Sequence, residues 1–123
     1  MIGLARNMRV FLCTTPADMR RSFDGLCGMA QNLMKLDPLT GHLFVFRNRN
    51  RDRLKILYWD RDGLAIWYKR LEKGTFQFPT DLKKNKPAEG AMSVEISADD
   101  LSLLLGGVDL RSVQKRKRYQ ASA

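Results

Sequence analysis

Residues 42–71 read HLFVFRNRNRDRLKILYWDRDGLAIWYKRL, and this stretch decides the fold. Residues 42–47, 53–60 and 64–71 are rich in aromatic and branched apolar side chains, as strands are. Two polar turns separate them. The first is Arg49-Asn50-Arg51-Asp52; the second ends in Asp62-Gly63, a strong hairpin signal. Strands joined by such short turns run antiparallel to their neighbours. Glu72-Lys73-Gly74 then leads into residues 75–78, expected as a short fourth strand stopped by Pro79.

Upstream, residues 8–14 (MRVFLCT) read as a first strand. Thr15-Pro16-Ala17-Asp18 offers a cap, a proline suited to a first helical turn and a capping-box acid, and Ser22 is an alternative cap. Phe23, Leu26, Cys27, Ala30, Leu33 and Met34 recur at three- and four-residue steps. That spacing predicts one long amphipathic helix ending near Leu36, before the breaker Asp37-Pro38-Leu39-Thr40-Gly41. Downstream, residues 80–92 carry few large apolar groups and read as a loop, and residues 93–96 as an edge strand. Ser97-Ala98-Asp99-Asp100 opens a short helix that Gly106-Gly107 ends.

The expected fold class is α+β. An antiparallel sheet of five or six strands carries one long amphipathic helix on a face and a short C-terminal helix. The sheet and helices form a single domain over residues 1–110, and residues 111–123 form a basic, disordered tail. Neighbouring residues such as Phe44 and Val45, or Tyr58 and Trp59, place apolar groups on both faces of the sheet. One face meets the long helix. The other meets the second helix, a protein partner or stacked bases.

Composition narrows the function. Of 123 residues, 22 are Lys or Arg and 13 are Asp or Glu, a formal net charge of +9 that attracts polyanions. The charge is clustered. Arg47, Arg49, Arg51, Arg53 and Lys55 lie within nine residues around the first turn, with Asp52 the one acid among them. Guanidinium groups bind phosphate through paired hydrogen bonds. Alternation on a strand lets Arg47 and Arg49 point together, and Arg51, Arg53 and Lys55 likewise. Asn48 and Asn50 are candidates for reading base edges. Lys115, Arg116, Lys117 and Arg118 form a second cluster in the tail, suited to an auxiliary nucleic-acid arm. A solvated hairpin tip and an inert solubilising tail are the alternatives.

Signals for catalysis are poor. His42 is the one histidine, and no serine or cysteine carries a motif to pair with it. Asp60 and Asp62, or Asp99 and Asp100, could hold magnesium as in nucleases, but turns and helix starts favour aspartate for structural reasons alone. Cys13 and Cys27 sit in apolar surroundings and read as buried free thiols of a reducing cytoplasm. Neither a metal nor a cofactor is expected. No apolar run approaches the length of a membrane span, and Arg6 and Arg9 interrupt the apolar N-terminus, against a signal peptide.

Several motifs together resemble a known family. They are Pro16-Ala17-Asp18-Met19-Arg20-Arg21-Ser22-Phe23-Asp24-Gly25-Leu26, the central runs 42–49, 52–60 and 67–74, and Leu103-Leu104-Leu105-Gly106-Gly107-Val108-Asp109-Leu110. They are similar to the TnpB accessory proteins of insertion-sequence-66 elements, which are unrelated to the RNA-guided nuclease of the same name. The resemblance implies a non-enzymatic, cytoplasmic accessory protein of bacterial DNA transposition, encoded beside a separate transposase. Its expected partners are DNA, at the transposon ends, and the transposase of the same element; self-association is compatible with this reading. An adaptor that holds the transposase through the aromatic face, touching DNA only non-specifically, is the alternative, and a metal-dependent nuclease is a more distant one. The family supplies no established site residues to carry over.

Overall fold

Val10–Cys13 (β1) and Leu43–Arg47 (β2) lie side by side at the centre of a five-stranded sheet. The computed structural model describes residues 8–78 and 90–106, and the backbone of 108–109 and 114–115. Between β1 and β2 runs the helix Phe23–Asn32 (α1). Arg53–Asp60 (β3) and Gly63–Arg70 (β4) extend the sheet on one side. Ser93–Ile96 (β5) closes the other side, before the helix Ala98–Gly106 (α2). The order across the sheet is β4-β3-β2-β1-β5.

The three central runs form the expected antiparallel meander: β2 pairs β3, and β3 pairs β4 over all eight residues from Arg53↔Arg70 to Asp60↔Gly63. Two residues, Arg61 and Asp62, close the second turn, with Arg61 in the left-handed region (φ 57°). The sheet is nevertheless mixed, not antiparallel throughout. β1 pairs β2 in parallel, with Val10 opposite Leu43. The chain leaves β1, crosses through α1 and returns in the same direction, as a strand–helix–strand crossover requires. β5 pairs antiparallel to β1 and is an edge strand as expected.

The first helix is shorter than its apolar spacing implied. It spans ten residues, starts after Ser22 and not at Thr15, and stops at Asn32. Met34 is buried and Leu36 still packs against the same core, but they do so from the chain that winds off the helix. Lys35 turns left-handed there (φ 60°), and the Leu36 N–H closes back onto the Ala30 carbonyl. An apolar stripe reports a shared face, and a face can continue past the last helical turn. In α2 the expected cap is present: Ser97 Oγ accepts from the Asp100 N–H at 3.0 Å.

Strand alternation divides the core in two. Phe11, Cys13, Phe44, Phe46 and Leu57 meet Leu26, Met29 and Ala30 of α1 on one face. Val10, Leu12, Leu43, Val45, Leu54 and Ile56 meet Leu101 and Leu104 of α2 on the other. The second face therefore meets the second helix, one of the alternatives the sequence left open. Phe76 and Phe78 complete that layer with 1% and 2% of their surfaces exposed, and Tyr58 and Trp67 pack against it. Residues 75–78 are not the expected fourth strand. The Phe76 N–H bonds the Arg51 carbonyl at 2.7 Å, so the segment is anchored to a turn and held by its two buried rings.

The backbone of Val108–Asp109 (β6) pairs antiparallel with that of Gln114–Lys115 (β7). The remainder of the expected basic tail, with Arg116, Lys117 and Arg118, and most of the expected loop 80–92 lie outside the described residues. Among the described residues, no helix is long and apolar enough to cross a membrane.

Candidate nucleic-acid interface

The turn between β2 and β3 is built around Asn48. Its Oδ1 accepts from the backbone N–H groups of Asp52 (3.1 Å) and Arg53 (3.0 Å), and its Nδ2 donates to Asp52 Oδ1 at 2.6 Å. Asparagine suits such a turn because its short amide can stand in for backbone partners. Asn48 is thereby committed to the turn, whereas Asn50 is exposed at the tip.

This turn breaks the alternation on which the grouping of the basic residues rested. Arg51 adopts a left-handed conformation (φ 59°). Its guanidinium lies 6.0 Å from the centre of the Phe78 ring, and that of Arg47 lies 5.8 Å from the same ring. Arg47 also donates to the carbonyl of Thr14. These two arginines converge on the α2 side of the sheet. Arg49 and Arg53 belong to a different surface, a groove of about 500 Å³ that they line with Asp18, Met19, Arg20 and Asn50. Arg49 also lines a neighbouring hollow with Arg21, Met29 and Leu33.

Lys55 is placed differently again. It is 8% exposed, and its Nζ donates to the carbonyls of Met19 and Arg21, each at 2.8 Å. Buried ammonium groups require such partners. Lys55 is therefore not a surface contact for phosphate; it fastens the segment before α1 onto β3. The Ala17 N–H, bonded to the Arg47 carbonyl at 2.7 Å, fastens the other end. Together they bring Arg20 beside Arg49 and Arg53 in the groove, and Arg21 beside Arg49 in the neighbouring hollow.

Charge read along the chain missed Arg20 and Arg21, which sit in a segment expected to begin a helix. Gly25 was the available signal. A Cβ there would lie 3.0 Å from Arg21 Cβ and 3.1 Å from its Cγ, so the missing side chain on α1 makes room for the arginine. Arg20 is paired within the groove: its guanidinium reaches Asp18 Oδ2 at 2.7 Å. The hydrogen bond from Arg20 holds the Asp18 carboxyl down at about 2. On the same side of the sheet, Arg70 stands opposite Arg53 and bonds Glu72 at 2.9 Å.

The residues weighed for catalysis are dispersed. His42 Nδ1 accepts from the Arg9 N–H at 2.9 Å, which ties β1 to the start of β2. Asp60 ends β3 and Asp62 lies in the two-residue turn that follows. Among the described residues, no three histidine, cysteine or acidic side chains gather as a metal-holding group. Both cysteines are free, Cys13 buried and Cys27 partly so.

The IS66 Orf2-like protein family matches residues 8–115, which contain both arginine segments of the groove. Two proteins of Sinorhizobium fredii (strain NBRC 101917 / NGR234) are similar over nearly their whole length. The uncharacterized protein y4hO is 39% identical over 118 residues, covering 96% of each chain. The uncharacterized protein y4jC is 36% identical over 116 residues, covering 94% of this chain and 92% of the relative. No solved structure matches. With residues from the motifs at 16–26 and 42–74 lining one groove and the match spanning the described fold, the chain belongs to the IS66 Orf2-like family, a family of transposition accessory proteins.

Proposed function

We propose that this protein supports transposition by holding DNA of its element through phosphate contacts in the groove between residues 18–21 and 48–53. Arg49 and Arg53 in the groove and Arg21 in the hollow that adjoins it at Arg49 are the primary contacts, and Arg20 joins them when a phosphate replaces Asp18. The observation that carries the reading is the convergence of two arginine segments about thirty residues apart in sequence, fastened by buried Lys55. A groove whose cations are set by the fold can select a backbone shape, because little conformational entropy is lost on binding. The net charge of +9 adds long-range attraction. The tail cations Lys115, Arg116, Lys117 and Arg118 contribute non-specific attraction in this reading.

The adaptor alternative needs an exposed aromatic platform. Phe76, Phe78, Tyr58 and Trp67 belong instead to the layer under α2, and the single exposed strand ring among the described residues, Tyr68, is too small for such a face, which favours the groove as the working surface. The transposase remains the natural second partner in this proposal, assembled on DNA that the protein already holds.

Fluorescence anisotropy on transposon-end duplex at two salt concentrations tests the reading. Each phosphate contact contributes about 0.9 to the slope of log affinity against log salt. Arg49→Ala with Arg53→Ala is expected to weaken binding by about tenfold or more and to flatten that slope by about 2. Circular dichroism checks that the variant is folded. Absence of binding at low salt, or a folded double variant that binds like the parent, would overturn the reading.

A further inference from the structure

β4 is an edge strand, and its alternation puts Leu64, Ile66, Tyr68 and Arg70 on the α1 side of the sheet. Leu64 and Ile66 pack into the core beneath α1. Tyr68 does not: 48% of it is exposed, and it is the one large apolar side chain so exposed on a strand among the described residues. The ring is nevertheless held in place. Its cross-strand neighbour is Lys55, whose Nζ lies 4.8 Å from the ring centre. That ammonium is the one bonded to the carbonyls of Met19 and Arg21, so a single buried cation positions both the groove wall and the ring. Arg70 lies two residues along on the same face, directly opposite Arg53, which lines the groove.

We infer that Tyr68 is a base-stacking platform and that the groove takes an unpaired DNA strand, such as a frayed or opened transposon end. The inference rests on the groove's reading as a DNA-backbone site and names the form of DNA it prefers. An exposed ring offers a flat apolar face, and arginines beside it offer phosphate contacts; together they match the alternating base and phosphate of a single strand. In a duplex the base faces are hidden in the stack, and the ring has nothing to lie against. Arg53 and Arg70 face each other across the strand pair. Arg70 is paired with exposed Glu72 at 2.9 Å, a surface ion pair that a strand phosphate can replace at little cost. The charge complementarity and the exposed ring thus select the same occupant.

Labelled transposon-end DNA as a single strand, the same sequence as a duplex and the same sequence as RNA provide the test. They are titrated with the full chain and its Tyr68→Leu and Tyr68→Phe variants, each checked for folding by circular dichroism. The parent protein is expected to prefer the single DNA strand over the duplex. Tyr68→Leu, which keeps apolar bulk but lacks a flat face, should weaken single-strand binding about tenfold and leave duplex binding unchanged. Tyr68→Phe should bind like the parent. If Tyr68→Leu binds the single strand normally while Arg49→Ala with Arg53→Ala abolishes binding, the platform is wrong and the groove stands. If no form of DNA binds at low salt, both fall. Tighter Tyr68-dependent binding of RNA than of DNA would overturn the assignment to DNA.

Discussion

Lys55 on β3 donates a 2.8 Å hydrogen bond to the carbonyl of Arg21, which lies 34 residues earlier in the chain. One buried ammonium thereby decides where an exposed guanidinium stands. Lys55→Met keeps most of the volume and removes the donor, leaving the carbonyls of Met19 and Arg21 without it. The loss is expected to destabilise the protein by about 1–3 kcal/mol in urea unfolding. Residues 18–22 should also loosen, so that trypsin cuts after Arg20 and Arg21 faster than in the parent. DNA affinity should fall although the removed charge was scarcely exposed. Unchanged proteolysis would show that Lys55 does not hold the segment.

Gly25 and Gly28 lie on the same helix and make opposite predictions for DNA. Alanine favours a helix interior over glycine by about 1 kcal/mol. At Gly28 a Cβ would meet nothing closer than Asn32 Nδ2 at 3.9 Å, so Gly28→Ala should raise the melting temperature and leave binding alone. At Gly25 the Cβ would press on Arg21. Gly25→Ala should therefore show little or no thermal gain and several-fold weaker DNA binding. Equal behaviour of the two variants would separate Arg21 from the groove.

Asp18 is the acid that competes with phosphate for Arg20. Asp18→Asn removes a negative charge from the groove and frees the guanidinium, so duplex affinity at low salt should rise several-fold. The pair also makes a pH prediction. Because the folded Asp18 carboxyl is depressed to about 2, its contribution to stability is present above the unfolded value near 4 and is lost as pH falls towards 2. An NMR titration should find Asp18 still ionised at about pH 3 in the parent. In Arg20→Ala the carboxyl should titrate higher than in the parent but still below its ordinary value, because the backbone N–H of residue 20 keeps donating to Asp18 Oδ1.

The two thiols report how closely α1 packs on the sheet. Burial pushes the thiols of Cys13 and Cys27 up, and Cys13 is wholly enclosed between sheet and helix. Iodoacetamide at neutral pH should modify Cys27 slowly, and Cys13 only once the protein unfolds. Mass spectrometry of timed samples checks the order. Early modification of Cys13 would contradict the packing of α1 on β1.

Local periodicity was enough for the elements that depend on near neighbours. The meander from Leu43 to Arg70 was legible because alternation and two short turns leave little choice of pairing. Ser97 announced α2 in the same way. Residues 75–78 were misread as a strand because two buried phenylalanines at alternate positions look alike in a ladder and in an anchored loop. What local pattern could not supply was the company each residue keeps. The parallel pairing of β1 with β2, the division of Arg47 and Arg51 from Arg49 and Arg53, and the seat of Lys55 on carbonyls of another segment are contacts across the fold. Residue type determined that cations would gather near the first turn. Only tertiary structure decided which of them line the candidate groove, which clasp a ring, and that Lys55 is buried to hold the segment before α1 in place, because burial and partner choice depend on segments distant in the chain.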